Sequence, residues 1–182
     1  ERTAEVAGLT IRMQESGSGP PLLVIHHSTG NPLGWMALYE LLAQRFTVTV
    51  PDLPGYGSSE RPDWAREPRD IGVLMLRLLD RLEVEAPLVV GFGLGGFIAA
   101  EMATMDPRRL SGLVLVGAAG VRPPDGVIMD QMLIGYGAYV QAGHVDEPSF
   151  AKAYGAEDEI DPDVKDVWEF SRIMTARLSW KP

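Results

Sequence analysis

Four short segments constrain this chain most: Leu22-Leu23-Val24-Ile25, Phe46-Thr47-Val48-Thr49-Val50, Leu88-Val89-Val90 and Leu113-Val114-Leu115-Val116. Each is shorter than a typical helix. Three are uninterrupted apolar runs, the mark of a strand buried on both faces. Between them lie segments of helical periodicity. Asn31-Pro32 reads as a helix start, with Asn as N-cap and Pro at the first helical position. Trp35, Leu38, Leu41 and Leu42 then fall on one face of that helix. Ile71, Leu74, Met75, Leu78, Leu79 and Leu82 repeat with a clean 3.6-residue period, and Phe97 to Met105 reads as a third helix. Strand and helix in alternation predict a mostly parallel α/β sheet flanked by helices. Ahead of it, Thr3 to Glu15 with Gly8 reads as a hairpin, followed by a Gly/Pro loop at 17–21.

The pattern changes after Pro123-Pro124. Val127 to Val140 is apolar and Met-rich, and Asp161-Pro162 opens a last helix whose apolar face is Val164, Val167, Trp168, Met174 and Leu178. No strand pattern follows, and acidic residues outnumber basic ones here. Residues 1–122 are therefore read as the α/β core and 123–182 as a helical layer over it.

The chain has 182 residues, enough for one domain with a core. Its net charge of −9 speaks against nucleic acid as a partner, because phosphate binding needs a basic face. No apolar run reaches the length of a membrane span, and there is no signal-peptide pattern. Cysteine is absent, and the three histidines lack H-x-x-x-H spacing, so neither a metal nor a cofactor is expected. Cytoplasmic is the default location.

Val89 to Ala103, VVGFGLGGFIAAEMA, carries the chemistry. Gly91, Gly93 and Gly96 spell the dinucleotide fingerprint G-x-G-x-x-G. That motif belongs on a first strand and wants a carboxylate ending the next one. Here two strand–helix units come first, and the next strand ends Val116-Gly117-Ala118-Ala119. Nucleotide binding is the minor reading. The same residues also spell a nucleophile elbow, G-x-S-x-G-G, with Gly93 in the serine position.

Other segments support the elbow. Ile25-His26-His27-Ser28-Thr29-Gly30 ends the first apolar run, and Asp52-Leu53-Pro54-Gly55-Tyr56-Gly57-Ser58-Ser59 follows the second. In order and spacing these resemble the H-G, D-x-x-G-x-G-x-S and elbow motifs of the α/β-hydrolase superfamily, over nearly the whole chain. The resemblance implies an α/β-hydrolase fold with a helical cap after its sixth strand. It places an oxyanion hole at the backbone N–H groups of Ser28 and Leu94. It also puts the catalytic His and acid after the last strands, which this sequence does not contain. A second polypeptide or a C-terminal segment is therefore expected to complete the sheet.

Two departures from the family pattern matter. Gly93 has no atom that can attack, which excludes an acyl-enzyme at that position. His27 replaces the glycine of H-G and can face the vacated space, as a base or by holding a water. His26 reads as a buried ring bonded to a backbone carbonyl, and His144 as a solvated cap-loop residue. Asp52 reads as the anchor of its own turn. His26, Trp35, Met129 and Leu133 are candidates to line a pocket. The functional expectation is a hydrolase acting on a small apolar ester or carbonyl compound. The alternative is an inactive member that binds a small apolar molecule.

Overall fold

The computed structural model describes residues 1–31, 34–121, 124–125, 128–130, 132–154 and 161–179. Pro32, the expected boundary at 122–123, Gly126-Val127 and the terminal Trp180-Lys181-Pro182 lie outside the described residues.

Six strands form one sheet in the order β1-β2-β4-β3-β5-β6. β1 (Arg2–Val6) and β2 (Leu9–Ser16) are the expected hairpin, antiparallel to each other, and β2 runs antiparallel to β4. β3 (Pro21–Ile25), β4 (Thr47–Pro51), β5 (Leu88–Phe92) and β6 (Gly112–Val116) are parallel. The crossovers between them carry helices α1 (Ala37–Ala43), α2 (Pro68–Arg81) and α3 (Leu94–Met105). A parallel pair needs such a crossover, and the alternation read from the sequence is its consequence.

The helices bury the sheet on both faces. Leu23 and Ile25 of β3 join a core with α2 and α3, while Leu22 and Val24 join one with Tyr39 of α1. Because its neighbours feed both cores, β3 has no polar face. Helix α2 begins where its sequence favours it: Glu67 and Asp70 form a reciprocal capping box, with Pro68 at the first helical position.

Three expectations are corrected. Helix α1 starts at Ala37 with Met36 as N-cap. Asn31 instead bonds the Tyr39 hydroxyl and Gln14. The buried face of α1 is then set by Tyr39, and Leu38 and Leu41 are exposed. The run Leu113–Val116 forms the expected strand but is not buried, each residue being 36–45% exposed. It pairs with β5 alone among the described residues, leaving an apolar strand at the sheet edge.

Beyond the sheet come α4 (Tyr136–Gln141), α5 (Glu147–Tyr154) and α6 (Pro162–Ser179). Tyr136, Phe150 and Trp168 form a small core of their own. Helix α6 also reaches back to the sheet domain. Met174 packs over Gly55, and Leu178 joins the core of α2 and α3. No helix among the described residues is long and apolar enough to cross a membrane.

Candidate active site

Strand β5 and helix α3 are separated by one residue, Gly93, with φ +52° and ψ −114°. Side chains rarely adopt such a conformation, and it is stored strain where they do. The turn is locked on both sides. The Gly93 N–H donates to the Val116 carbonyl (3.0 Å), and the Gly93 carbonyl accepts from Ala119 N–H (2.9 Å). The flanking glycines let helix and strand touch. A Cβ on Gly91 would stand 2.5 Å from the Gly95 carbonyl oxygen, and one on Gly95 would overlap the carbonyls of Ile25 and His26. The cluster is thus a tight strand-to-helix turn.

Across the elbow stands His27. A Cβ built on Gly93 would stand only 2.1 Å from Cδ2 and 2.2 Å from Nε2 of the His27 ring, so the two cannot coexist. The imidazole therefore fills the volume of the side chain that Gly93 lacks. Its Nδ1 lies 2.9 Å from Ser28 Oγ, and the Tyr139 hydroxyl lies 3.1 Å from Nε2 and 3.3 Å from Nδ1. Tyr139 also hydrogen-bonds Ser28. Burial, and then the neighbouring His26, pull His27 down to about 4, so the ring is neutral near pH 7. Burial raises the Tyr139 phenol.

His26 has a different task. The Leu53 N–H donates to its Nε2 (2.9 Å), which fixes the proton on Nδ1, and Nδ1–H donates to the His27 carbonyl (2.7 Å). Burial lowers its pKa as well. Both nitrogens are engaged, and the ring straps the end of β3 to the loop after β4. That loop is built on Asp52, whose carboxylate accepts from Arg12 (3.0 Å) and from the Ser58 N–H (3.1 Å). Asp52 serves its own turn, away from the elbow.

A second layer comes from α6. Thr175 donates to the Ser28 carbonyl (3.2 Å) and pairs with the Tyr56 hydroxyl (2.7 Å). This fixes the segment whose N–H the oxyanion hole would use. The Leu94 N–H, in turn, opens helix α3 and is among the first four without an intrahelical acceptor.

Two cavities meet at His27 and Tyr139. The larger, about 810 Å³, is walled by His27, Ser28, Gly93, Leu94, Met129 and Tyr139, among others. The second, about 660 Å³, lies on the other side of the same pair, against His26, Asn31, Tyr39, Met129 and His144. Of the pocket candidates, Met129 lines both and His26 only the second. Trp35 packs edge-on against Tyr39 and donates to Glu40 instead. Leu133 is 81% exposed. An apolar residue read from sequence carries no sign of whether it faces core, cavity or water. His144 is not simply solvated: its Nδ1 lies 2.9 Å from the Val140 carbonyl and its ring stacks edge-on against Phe150.

The sequence reading missed Thr175. Ser171 and Thr175 sit one turn apart on the apolar face of α6. Hydroxyls on an apolar face are the signal that could have found Thr175. Among the described residues no group of three or more acidic or histidine side chains could hold a metal.

Residues 20–144 match the family of the alpha/beta hydrolase fold. The chain belongs to the α/β-hydrolase family. It is 40% identical over 123 residues to a 2-hydroxymuconate semialdehyde hydrolase of Pseudomonas sp. (strain CF600), covering 65% of this chain and 43% of that protein. It is 31% identical over 120 residues to a dihydrolipoyllysine-residue acetyltransferase component of the acetoin cleaving system of Pseudomonas putida, covering 65% of this chain and 32% of the other. The chain thus spans less than half the length of these curated relatives. Among solved structures, a bacterial membrane phospholipase A superposes with a TM-score of 0.73 at 23% identity, over 97% of this chain and 61% of the other. A thermophilic esterase from Thermogutta terrifontis superposes with 0.62 at 25% identity, over 69% of this chain and 48% of the other.

Proposed function

We propose that this α/β-hydrolase-family protein hydrolyses a small apolar ester or related carbonyl compound at the elbow, without a serine nucleophile. The observation that carries this reading is the His27 imidazole standing in the side-chain volume of position 93, beside the N-terminus of α3. Backbone donors do not depend on the residue at 93. The Leu94 and Ser28 N–H groups and the dipole of α3 suit a carbonyl oxygen that gains charge. Met129, Ile128 and Leu94 give the larger cavity an apolar wall. His27 is neutral at pH 7 and is the group there with a base's lone pair.

Asp52 is spent on its own turn. The half-exposed edge of β6 supports completion of the sheet by a further segment or a second polypeptide. A denatured mass spectrum of the natively purified protein tests that part: a smaller companion chain is the outcome expected of a two-chain hydrolase.

The activity is tested with a panel of p-nitrophenyl esters of rising chain length. Release of p-nitrophenol that falls by about a hundredfold in His27→Gln is the expected result. No release from any ester, together with saturable binding of the same acids, favours the second reading: a protein that keeps the pocket and has lost the chemistry. The absence of any attacking atom at Gly93 is what speaks for that reading.

A further inference from the structure

The ring of His27 does more than lie near the elbow, because it occupies the elbow's reacting position. On a serine at 93 the attacking oxygen would sit one bond beyond Cβ, and the Cβ position itself lies 2.1 Å from Cδ2 and 2.2 Å from Nε2 of His27. A carbonyl carbon in near-attack range of that point, about 3–3.5 Å, lies within direct reach of Nε2. Gly93 and His27 are also mutually exclusive with the family's arrangement, because any side chain at 93 displaces the ring. The two departures from the family pattern are one compensated change.

Resting on the hydrolase reading above, we propose that His27 is itself the nucleophile: Nε2 attacks the substrate carbonyl and forms a transient acyl-imidazole at the position the serine has left. One of the two tautomers serves this step. With Nδ1–H donating to Ser28 Oγ (2.9 Å), the lone pair lies on Nε2. Tyr139 is bonded to both Ser28 and the ring, and the attack requires it to leave Nε2.

In the first step a bond forms between Nε2 and the carbonyl carbon. The carbonyl π pair moves to oxygen and is held by the Leu94 N–H. Collapse breaks the bond to the leaving oxygen or sulfur, which departs with its electron pair. The Nδ1 proton passes through Ser28 Oγ and the Tyr139 hydroxyl to that leaving group. In the second step water adds to the acyl carbon, the C–Nε2 bond breaks, the acid leaves, and the second water proton returns to Nδ1. Nothing is oxidised or reduced.

Burial of His27 keeps this lone pair free of protons through neutral pH, as the depressed pKa reflects. The same burial makes the nitrogen a weak base, so it expels only good leaving groups. The substrate class is therefore aryl or enol esters and thioesters, not simple alkyl esters.

The experiment uses p-nitrophenyl, phenyl and thiophenyl butyrate with added methanol, in the full chain and in His27→Gln and Gly93→Ala. A common acyl-imidazole predicts one ratio of methyl butyrate to butyric acid for all three leaving groups. It also predicts a rapid-mix burst of one acyl group per chain that both variants lose while circular dichroism shows them folded. His27→Gln leaves the elbow backbone untouched, so it decides the matter should Gly93→Ala unfold. A product ratio that changes with the leaving group, or a burst that survives in His27→Gln, overturns the nucleophile and leaves the hydrolase reading standing. No hydrolysis of any of the three esters overturns both.

Discussion

His27 is a partly buried neutral ring whose folded pKa lies near 4 against an ordinary 6.5, and this makes a quantitative demand on acid stability. Below pH 6.5 the unfolded chain binds a proton at His27 that the folded chain refuses until about pH 4. Stability is therefore full above 6.5 and lost as the pH falls. The loss runs at about 1.4 kcal/mol per pH unit for one such group. Across the whole window it sums to roughly 3 kcal/mol, a large part of a small domain's stability. The perturbation is His27→Gln, which keeps a polar side chain and removes the titration. Urea unfolding is followed by tryptophan fluorescence at about pH 7, 6 and 5, with the slope m held common. Titrating groups that do not interact with His27 are present in both proteins and cancel in the difference. The wild-type chain should lose stability faster than the variant by about 1.4 kcal/mol per unit below pH 6.5. Parallel curves would refute the reasoning, since they mean that the His27 ring is open to water in the folded protein.

Three further outcomes are expected. Gly95→Ala forces a Cβ into the carbonyls of Ile25 and His26 and should cost about 3 kcal/mol or more, read as a fall in melting temperature. Thr175→Val strands the buried Tyr56 hydroxyl and frees the Ser28 carbonyl, costing about 1–3 kcal/mol; adding Tyr56→Phe should give part of this back, by the same thermal melts. Val114→Lys places a charge on the open edge of β6, where Val114 is 44% exposed. It should reduce concentration-dependent association in light scattering while changing stability by less than about 0.5 kcal/mol.

The fold was legible because its signals are local. The short strand segments, the α2 periodicity and the glycines of the elbow each fix a conformation within a few residues. The start of α1 was not, because Asn31 and Pro32 look like a cap while Asn31 bonds Tyr39 through space. The site divides the same way. That Gly93 lacks a nucleophile and that Leu94 follows it could be read along the chain, whereas Ser28 entered only through the family resemblance. That His27 fills the space over Gly93 depends on how β3 lies against β5, four residues in register from Leu22↔Leu88 to Ile25↔Gly91. Tyr139 and Thr175 reach the site across more than a hundred residues of sequence. Trp35 and Leu133 failed as pocket residues for the complementary reason: apolar character says nothing about which void a side chain meets.

The two-sided burial of β3 has a consequence for assembly. Leu22, Leu23, Val24 and Ile25 are all apolar, so sliding the strand by one residue would exchange its two faces with little hydrophobic penalty. Hydrophobicity cannot choose the register. The choice falls to polar pins at the two ends of the strand: the Thr47 N–H and hydroxyl on the Pro20 and Gly19 carbonyls, and the Leu53 N–H on His26. A chain stripped of these pins should still collapse into a sheet, with its middle strand free to dock out of step and carry the whole elbow wall with it.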